Sequence, residues 1–446
     1  MDPSQLNWLS ASDAARAIRD GAISAEELMH ACLARVREVD GDVQAWAFLD
    51  EAHALAQARA RDLDRAEGRA MGPLHGIPVG IKDIIDTCDM PTEDGTVLHA
   101  GRTPARDAAV VAMLRAAGAV IMGKTVTTEC ATYTPGKTRN PHNPEHTPGG
   151  SSSGSAAAVA AGMVPLALGS QTNGSVIRPA SFCGVYAFKP THGLIPRHGI
   201  LKLSRTLDHV GMFARTIDDL ALVGETLVGW DIDDPDTRPR ATIPFREIAA
   251  QAPPLDPLLG FVKPPVWDRV EADTKEAFAE LTEQLADRVV QIELPPSTAE
   301  ALEWHRTIME AEMAANLDRE FEQGRDRLSE ALRGQLARGR ELRALDYQRA
   351  LARIPLLNAG FEEMFERCDA FITPAAAGTA PKGLGSTGDP AFCTLWTLCG
   401  MPALNLPLMQ GANGLPLGVQ LVGPRSGDAR LLRTAKWLAG RLQTQE

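Results

Sequence analysis

The 446-residue chain is predicted to be an α/β protein whose strand-rich sequence is split in two by a helical segment. Two observations predict this. Short apolar runs of strand length, broken by glycine and proline, recur after residue 70 and return after residue 366, with helix-patterned stretches between the early ones. Between these regions runs a mostly helical pattern, from about Ala272 to Glu366. Strands interleaved with helices build a sheet covered by helices. A third observation, 44% hydrophobic and 23% charged residues, excludes a disordered chain and supplies enough apolar surface for a large core.

The first seventy residues read as helices. Ser10 or Ser12 caps a helix through about Arg19, and Ser24 with Glu27 forms a capping box ahead of AEELMHACLARVREV. Glu51–Glu67 is Ala/Arg-rich and weakly amphipathic. The runs IPVGIKDIID, AVIM, MVPLAL and VYAFK then have strand length, with helical stretches at Asp107–Ala117 and Ser155–Ala161. A Pro-rich stretch, Asp234 to Pro265, leads into the helical segment, which RVVQIELP interrupts as one strand. DAFITP, ALNLPL and LGVQLVG are the late strands, and a final helix lies near Asp428–Arg441.

Lys and Arg total 45 against 57 Asp and Glu, a net charge of −12 with no basic block. That argues against nucleic acid or an anionic membrane surface as the main partner. The longest apolar stretch, Ala156 to Gly169, contains Pro165 and falls short of the ~20 residues a membrane span needs. The start, MDPSQLNWLSASD, has neither the basic nor the apolar part of a signal peptide. The seven cysteines are scattered and never spaced C-x-x-C. A soluble, cytoplasmic protein with reduced thiols is expected, without a zinc site or disulfide frame.

Several motifs match in letters but not in setting. Gly118–Thr125 fits the Walker A pattern, yet its interior residues AVIM are themselves an apolar strand rather than a phosphate loop. Gly150-Ser151-Ser152-Ser153-Gly154 fits the nucleophile elbow with Ser152 as nucleophile. That elbow must follow a strand, and here it follows a loop with four prolines. It also needs a late histidine, and the last in the chain is His305. His142 and His146, and His192 and His198, lie in loops and lack a third metal ligand.

The tract PGGSSSGSAAAVAAG followed by GSQTNGSVIRPASFCG has two readings. One is close helix–sheet packing. The other is an oxyanion hole of successive N–H groups with a serine nucleophile, Gly149, Gly150, Gly154 and Gly174 allowing close backbone approach. Such a serine needs a base. The histidines are poorly placed, and a desolvated lysine is the remaining choice. Lys82, with apolar neighbours in IPVGIKDIID, is the best candidate.

At these residues the sequence resembles the amidase signature family of serine hydrolases. The matching pieces are Gly76–Asp86, Gly123–Glu129, Asn140–Gly162, Gly169–Gly193, and later DAFITPAAAGTAP and GLPLGVQLVG. The resemblance implies one large domain (1–446) with a central twisted mixed β-sheet covered by helices on both faces. Within it, 1–70 would be N-terminal helices, 71–230 the catalytic core, 266–366 a mostly helical insertion or cap, and 367–446 the return to the sheet. From its position alone, the part around Thr298–Ala359 is expected to cover the active-site mouth. It implies a Ser–cisSer–Lys triad in which Lys82 is the base, Ser151 the serine after a cis bond, and Ser175 the nucleophile. The N–H groups of Thr172, Asn173, Gly174 and Ser175 would hold the oxyanion. Gly149, Gly150, Ser152 and Arg178 are candidate substrate-binding residues. No cofactor or metal is implied.

Three features depart from the family pattern, the first being that the tract reads GGSSSGS where GGSSGG is also common, a change expected to leave Ser151 and Ser175 intact. Gln171-Thr172-Asn173-Gly174 stands where an acidic residue and Gly-Gly are common, so Asn173 gives up backbone freedom at the oxyanion turn. Arg178, in SVIRPA, resembles malonamidase-like members, where an arginine meets a substrate carboxylate; a structural ion pair is the other reading. The expected reaction is cleavage of a C–N bond in a small-molecule amide, or a related carbamate (urethane) or urea. One alternative is a partner-dependent glutamyl-tRNA amidotransferase A-type subunit. The other is a non-catalytic protein that binds a small anion. Oligomeric state is left open.

Overall fold

The computed structural model describes residues 3–443, and its centre is one mixed sheet of eleven strands. In chain order these are β1 (Trp46–Leu49), β2 (Pro78–Lys82), β3 (Val120–Thr125), β4 (Leu166–Gln171), β5 (Tyr186–Lys189), β6 (His209–Ala214), β7 (Leu259–Val262), β8 (Val289–Ile292), β9 (Ala370–Pro374), β10 (Ala403–Gln410) and β11 (Pro416–Val422). They lie side by side as β1-β3-β2-β4-β6-β5-β10-β11-β9-β7-β8. β2 runs parallel to β3 and β4, and β7 runs parallel to β8 and β9; every other neighbouring pair is antiparallel.

Every residue of β2, β3, β4 and β6 is buried, as both faces of this part of the sheet are covered. The helix Ser153–Ala160 lies against β2, β3 and β4, Ile177–Cys183 against β5, β10 and β11, and Ile217–Leu227 against β5 and β6. Chain entry into the helices follows the capping signals: Ser10 accepts from Asp13 N–H, and Ser24 with Glu27 forms the reciprocal capping box. Among the described residues no helix is long and apolar enough to cross a membrane. All seven cysteines are free, and only Cys88 is exposed.

Three strands escape the sequence reading. β1 is only four residues long, and β6 is masked by His209 and Gly211 within its apolar run. The Pro-rich stretch holds a short helix, Phe245–Ala250, and then β7, a parallel strand buried along its whole length despite the prolines around it. β4 also differs from its expected bounds. It begins after Pro165, which has no N–H for the ladder, and runs on through Gly169 and Ser170 to Gln171. The strand therefore delivers the chain directly into Thr172–Ser175.

The segment between β8 and β9 is helical, including Ala301–Asn316, Glu330–Glu341, Ala344–Leu351 and Arg353–Phe365. Ala301–Asn316 packs on the next two of these and on Ala391–Leu398, a helix that lies after β9. Its buried face carries His305, Ile308, Met309 and Met313, at helical spacing.

Candidate active site

Parallel pairing brings the first two groups together. Ile81 of β2 lies opposite Leu168 of β4, so both strands end at the same edge of the sheet, where open α/β sheets place their ligands. Lys82 is the last residue of β2, and its Nζ donates to Ser170 Oγ at 2.9 Å and to Ser151 Oγ at 2.7 Å. The lysine is fully buried and both partners are neutral hydroxyls. Desolvation brings its pKa down to about 7, and the charge of Asp208 opposes that shift.

Ser151 follows a cis peptide bond to Gly150. Gly149 before it has φ +83°, and a Cβ there would lie 2.7 Å from Pro179 Cα. At the start of the next helix, a Cβ on Gly154 would come within 2.3 Å of Ala45 O and Val126 N. The small residues of the tract thus have a packing role as well: without them the Ser151 loop could not sit against β3.

The turn Thr172–Ser175 is held from several directions. Gln171, fully buried, accepts from Val176 N–H at 2.8 Å and Ile177 N–H at 3.0 Å, and its Nε2 donates to Thr397 Oγ1 at 2.9 Å. Thr172 Oγ1 donates to Asp208 at 2.6 Å. Desolvation pushes the Asp208 carboxyl up to about 6, against the pull of that hydrogen bond. Asn173 accepts from Thr394 Oγ1 at 2.6 Å and donates to Tyr133 OH at 3.2 Å. Neither Asn173 nor Gly174 has positive φ, so the asparagine carries no left-handed strain and its amide works as a strut. Among the described residues, the N–H groups of Thr172, Asn173, Gly174 and Ser175 make no hydrogen bond to a protein acceptor.

Ser175 stands at the end of this turn, 8% exposed. Its carbonyl accepts from Ser152 N–H at 3.4 Å, which ties the two serine loops together. A side-chain hydrogen bond from Ser175 to Ser151 is not formed among the described residues; such contacts often tighten only when substrate is bound.

The remaining sequence candidates have other partners. Ser152 Oγ donates to the Ser170 carbonyl at 3.2 Å and accepts from Ser170 N–H at 3.3 Å. Arg178 is buried and ion-paired to no carboxylate among the described residues. It donates to the Gly150 carbonyl at 2.7 Å and to the Gly388 carbonyl. His142 and His146 bond to the carbonyls of Cys183 and Ala380, and His198 faces Asp231 and Asp233 at the surface. Lys124 of the Walker-like run is buried under Ile85 and Thr92. Sequence reasoning misses the parts played by Ser170, Gln171, Asp208, Thr397 and His305. The first two lie inside the GSQTNGS run; the others give no local signal.

Two cavities flank the turn. One, of about 240 Å³, reaches Ser170 and Thr172 between Ile84, Leu201, Leu203 and Val210. The other, of about 440 Å³, is lined by Asn173, Thr394 and Pro390 from the sheet side and by His305, Met309 and Arg338 from the helical segment.

Residues 27–432 match the family model described as Amidase. The chain belongs to the amidase signature family, a class that cleaves amide C–N bonds. It is 37% identical to the A subunit of the glutamyl-tRNA(Gln) amidotransferase of Roseiflexus castenholzii, over 96% of this chain and 94% of that protein. In structure it is similar to the native peptide amidase from Stenotrophomonas maltophilia, with a TM-score of 0.86 and 29% identity over 97% of each chain. It is likewise similar to 6-aminohexanoate cyclic dimer hydrolase solved with its substrate, with a TM-score of 0.87 and 26% identity over 98% of this chain and 97% of that one.

Proposed function

We propose that the protein hydrolyses a carboxamide C–N bond through an acyl-enzyme on Ser175. The observation that carries this reading is a fully buried lysine with its pKa near 7, bonded to Ser151 beside a turn whose N–H groups have no protein acceptor among the described residues. Neutral Lys82 takes the Ser151 proton as Ser151 takes that of Ser175. Ser175 Oγ then forms a bond to the carbonyl carbon, and the oxygen becomes an oxyanion held by N–H groups of the turn. Ser151 passes the proton it took from Ser175 to the leaving nitrogen as the C–N bond breaks, and Lys82 returns a proton to Ser151. Water attacks the ester next, its proton leaving by the same route, and release of the carboxylic acid restores Ser175.

A second reading sets this chemistry inside a complex. It is favoured by the curated relatives named as the A subunit of glutamyl-tRNA(Gln) amidotransferase, at 31–37% identity over nearly their whole length. In that setting glutamine is the amide, and its ammonia serves partner subunits. Ammonia release from glutamine, measured with and without such partners beside a panel of simple amides and carbamates, separates the two. Turnover of simple amides by the chain alone supports a free-standing amidase. Turnover of glutamine only with partners supports the complex. No turnover in any arm contradicts the shared chemistry.

A further inference from the structure

N–H groups in a short turn stabilise an oxyanion only if each peptide plane is held. In a trans peptide unit the carbonyl and the following N–H point in opposite directions, so fixing the carbonyl aims the N–H. Every peptide unit of this turn is trans, and three carbonyls in a row are held. The Gly174 carbonyl accepts from Arg178 N–H at 3.1 Å, within its own helix start. The Asn173 carbonyl accepts from Thr397 Oγ1 at 2.6 Å, on the helix Ala391–Leu398. The Thr172 carbonyl pairs with His305 Nε2 at 2.9 Å. Two of these clamps come from elements packed on the sheet, whereas the third crosses over from the helical segment.

We infer that His305 is a positioning residue: its Nε2–H holds the Thr172 carbonyl and so turns the Asn173 N–H towards the developing oxyanion, which makes the helical segment part of the oxyanion hole. The inference rests on the oxyanion role proposed above for this turn. A carbonyl only accepts, so Nε2 carries the proton. The ring is 1% exposed, and burial brings its pKa down to about 4, which leaves it neutral with a single N–H. That N–H is committed to the carbonyl, so Nε2 is not available as a base. The last histidine of the chain, unsuitable as a triad member by sequence order, is a strut in the fold.

The test compares two substitutions of similar size. In His305→Gln, Nε2 lies as many bonds from Cα as in histidine and still donates; in His305→Met the donor is gone while the volume is largely kept. The readouts are the rate at which a fluorophosphonate modifies Ser175, kcat and KM on whichever amide is turned over, and the melting temperature. Loss of one oxyanion donor costs roughly 10²–10³ in kcat, and loss of the strut that aims it is expected to cost about 10–100-fold in His305→Met, with KM within about threefold. His305→Gln should recover most of that loss, and both variants should melt close to wild type. Equal rates for the two, whether fast or slow, overturn the inference, as does failure of both to fold, because the contact is then a folding element alone. If wild-type Ser175 is not modified at all, the proposed reaction fails before the His305 comparison is reached.

Discussion

The two sides of the Thr172–Ser175 turn are built by different rules. On the sheet side, Lys82, Ser151, Ser152, Ser155 and Gln171 are buried and their side chains are hydrogen-bonded. Glycines there meet backbone at distances no Cβ could share. On the helical side, the surface is laced with ion pairs such as Arg306–Glu303 and Arg343–Asp346. The helical segment shares the main apolar core through residues such as Ile308, Met313 and Phe361, and adds polar contacts, among them His305 to Thr172, Glu312 to Ser204 and Thr206, and Glu129 to Ser329 N–H. The difference teaches that the proposed reacting groups are placed by backbone geometry within the sheet, while the helical segment packs on the core and reaches the Thr172–Ser175 turn through the His305 contact. Changes on the sheet side should therefore alter rate by orders of magnitude, and most changes on the helical side should not.

The largest expected effect is on the proposed reacting groups. Ser175→Ala and Lys82→Met should each lower kcat by about 10⁴-fold or more. Lys82→Met should also raise the melting temperature at pH 7, since the desolvation of a buried amine is removed. The sign follows from linkage. Lys82 has a folded pKa of about 7 against an ordinary 10.5, so the unfolded chain binds more protons between these values. Wild-type stability then rises with pH across that window, and the advantage of Lys82→Met shrinks. Thermal melts of both proteins at several pH values check this; a constant difference breaks it.

The proposed base role of Lys82 also predicts how the rate depends on pH. As the base must be neutral, the rate of Ser175 modification should rise with pH through about 7 and level off above it. A flat profile between pH 5 and 9 would remove Lys82 from the role.

A smaller effect is expected one step from the reacting groups. Gln171→Leu removes the acceptor of two N–H groups and the donor to Thr397. It should slow turnover by about 10²-fold and cost about 2–3 kcal/mol of stability, measured by steady-state kinetics and denaturant unfolding. The smallest effect belongs to the helical surface. Arg343→Ala breaks an exposed pair with Asp346 and should leave kcat unchanged and the melting temperature within about 1–2 °C. A large effect there would erase the contrast between the two sides.

The contrast also marks what can be read from the sequence. Lys82, Ser151 and Ser175 stand in runs whose glycines and small residues are unusual enough to identify; the structure brings Lys82 Nζ to within 2.7 Å of Ser151 Oγ and forms no side-chain hydrogen bond from Ser151 to Ser175 among the described residues. Strands β2, β3 and β5 are legible because apolar runs are bounded by Gly and Pro. Ser170 and Asp208 are not, because their roles depend on the pairing of β4 with β2 and β6, which no local pattern encodes. His305 lies 133 residues from the carbonyl it holds, on a helix whose own periodicity predicts only burial. For Arg178 the sequence leaves a choice between a substrate carboxylate and an ion pair. In the structure it donates to two backbone carbonyls, a partner type that leaves no trace in sequence.

The most direct test of the account is peptide mapping after treatment with a serine-reactive fluorophosphonate, on wild type and on Lys82→Ala. The account predicts one adduct, on Ser175, formed at least a hundredfold more slowly in the variant by the logic of general-base catalysis, which contributes about 10²–10⁴-fold. An adduct on Ser152 or Ser170, or one on Ser175 that forms equally fast without Lys82, would contradict it.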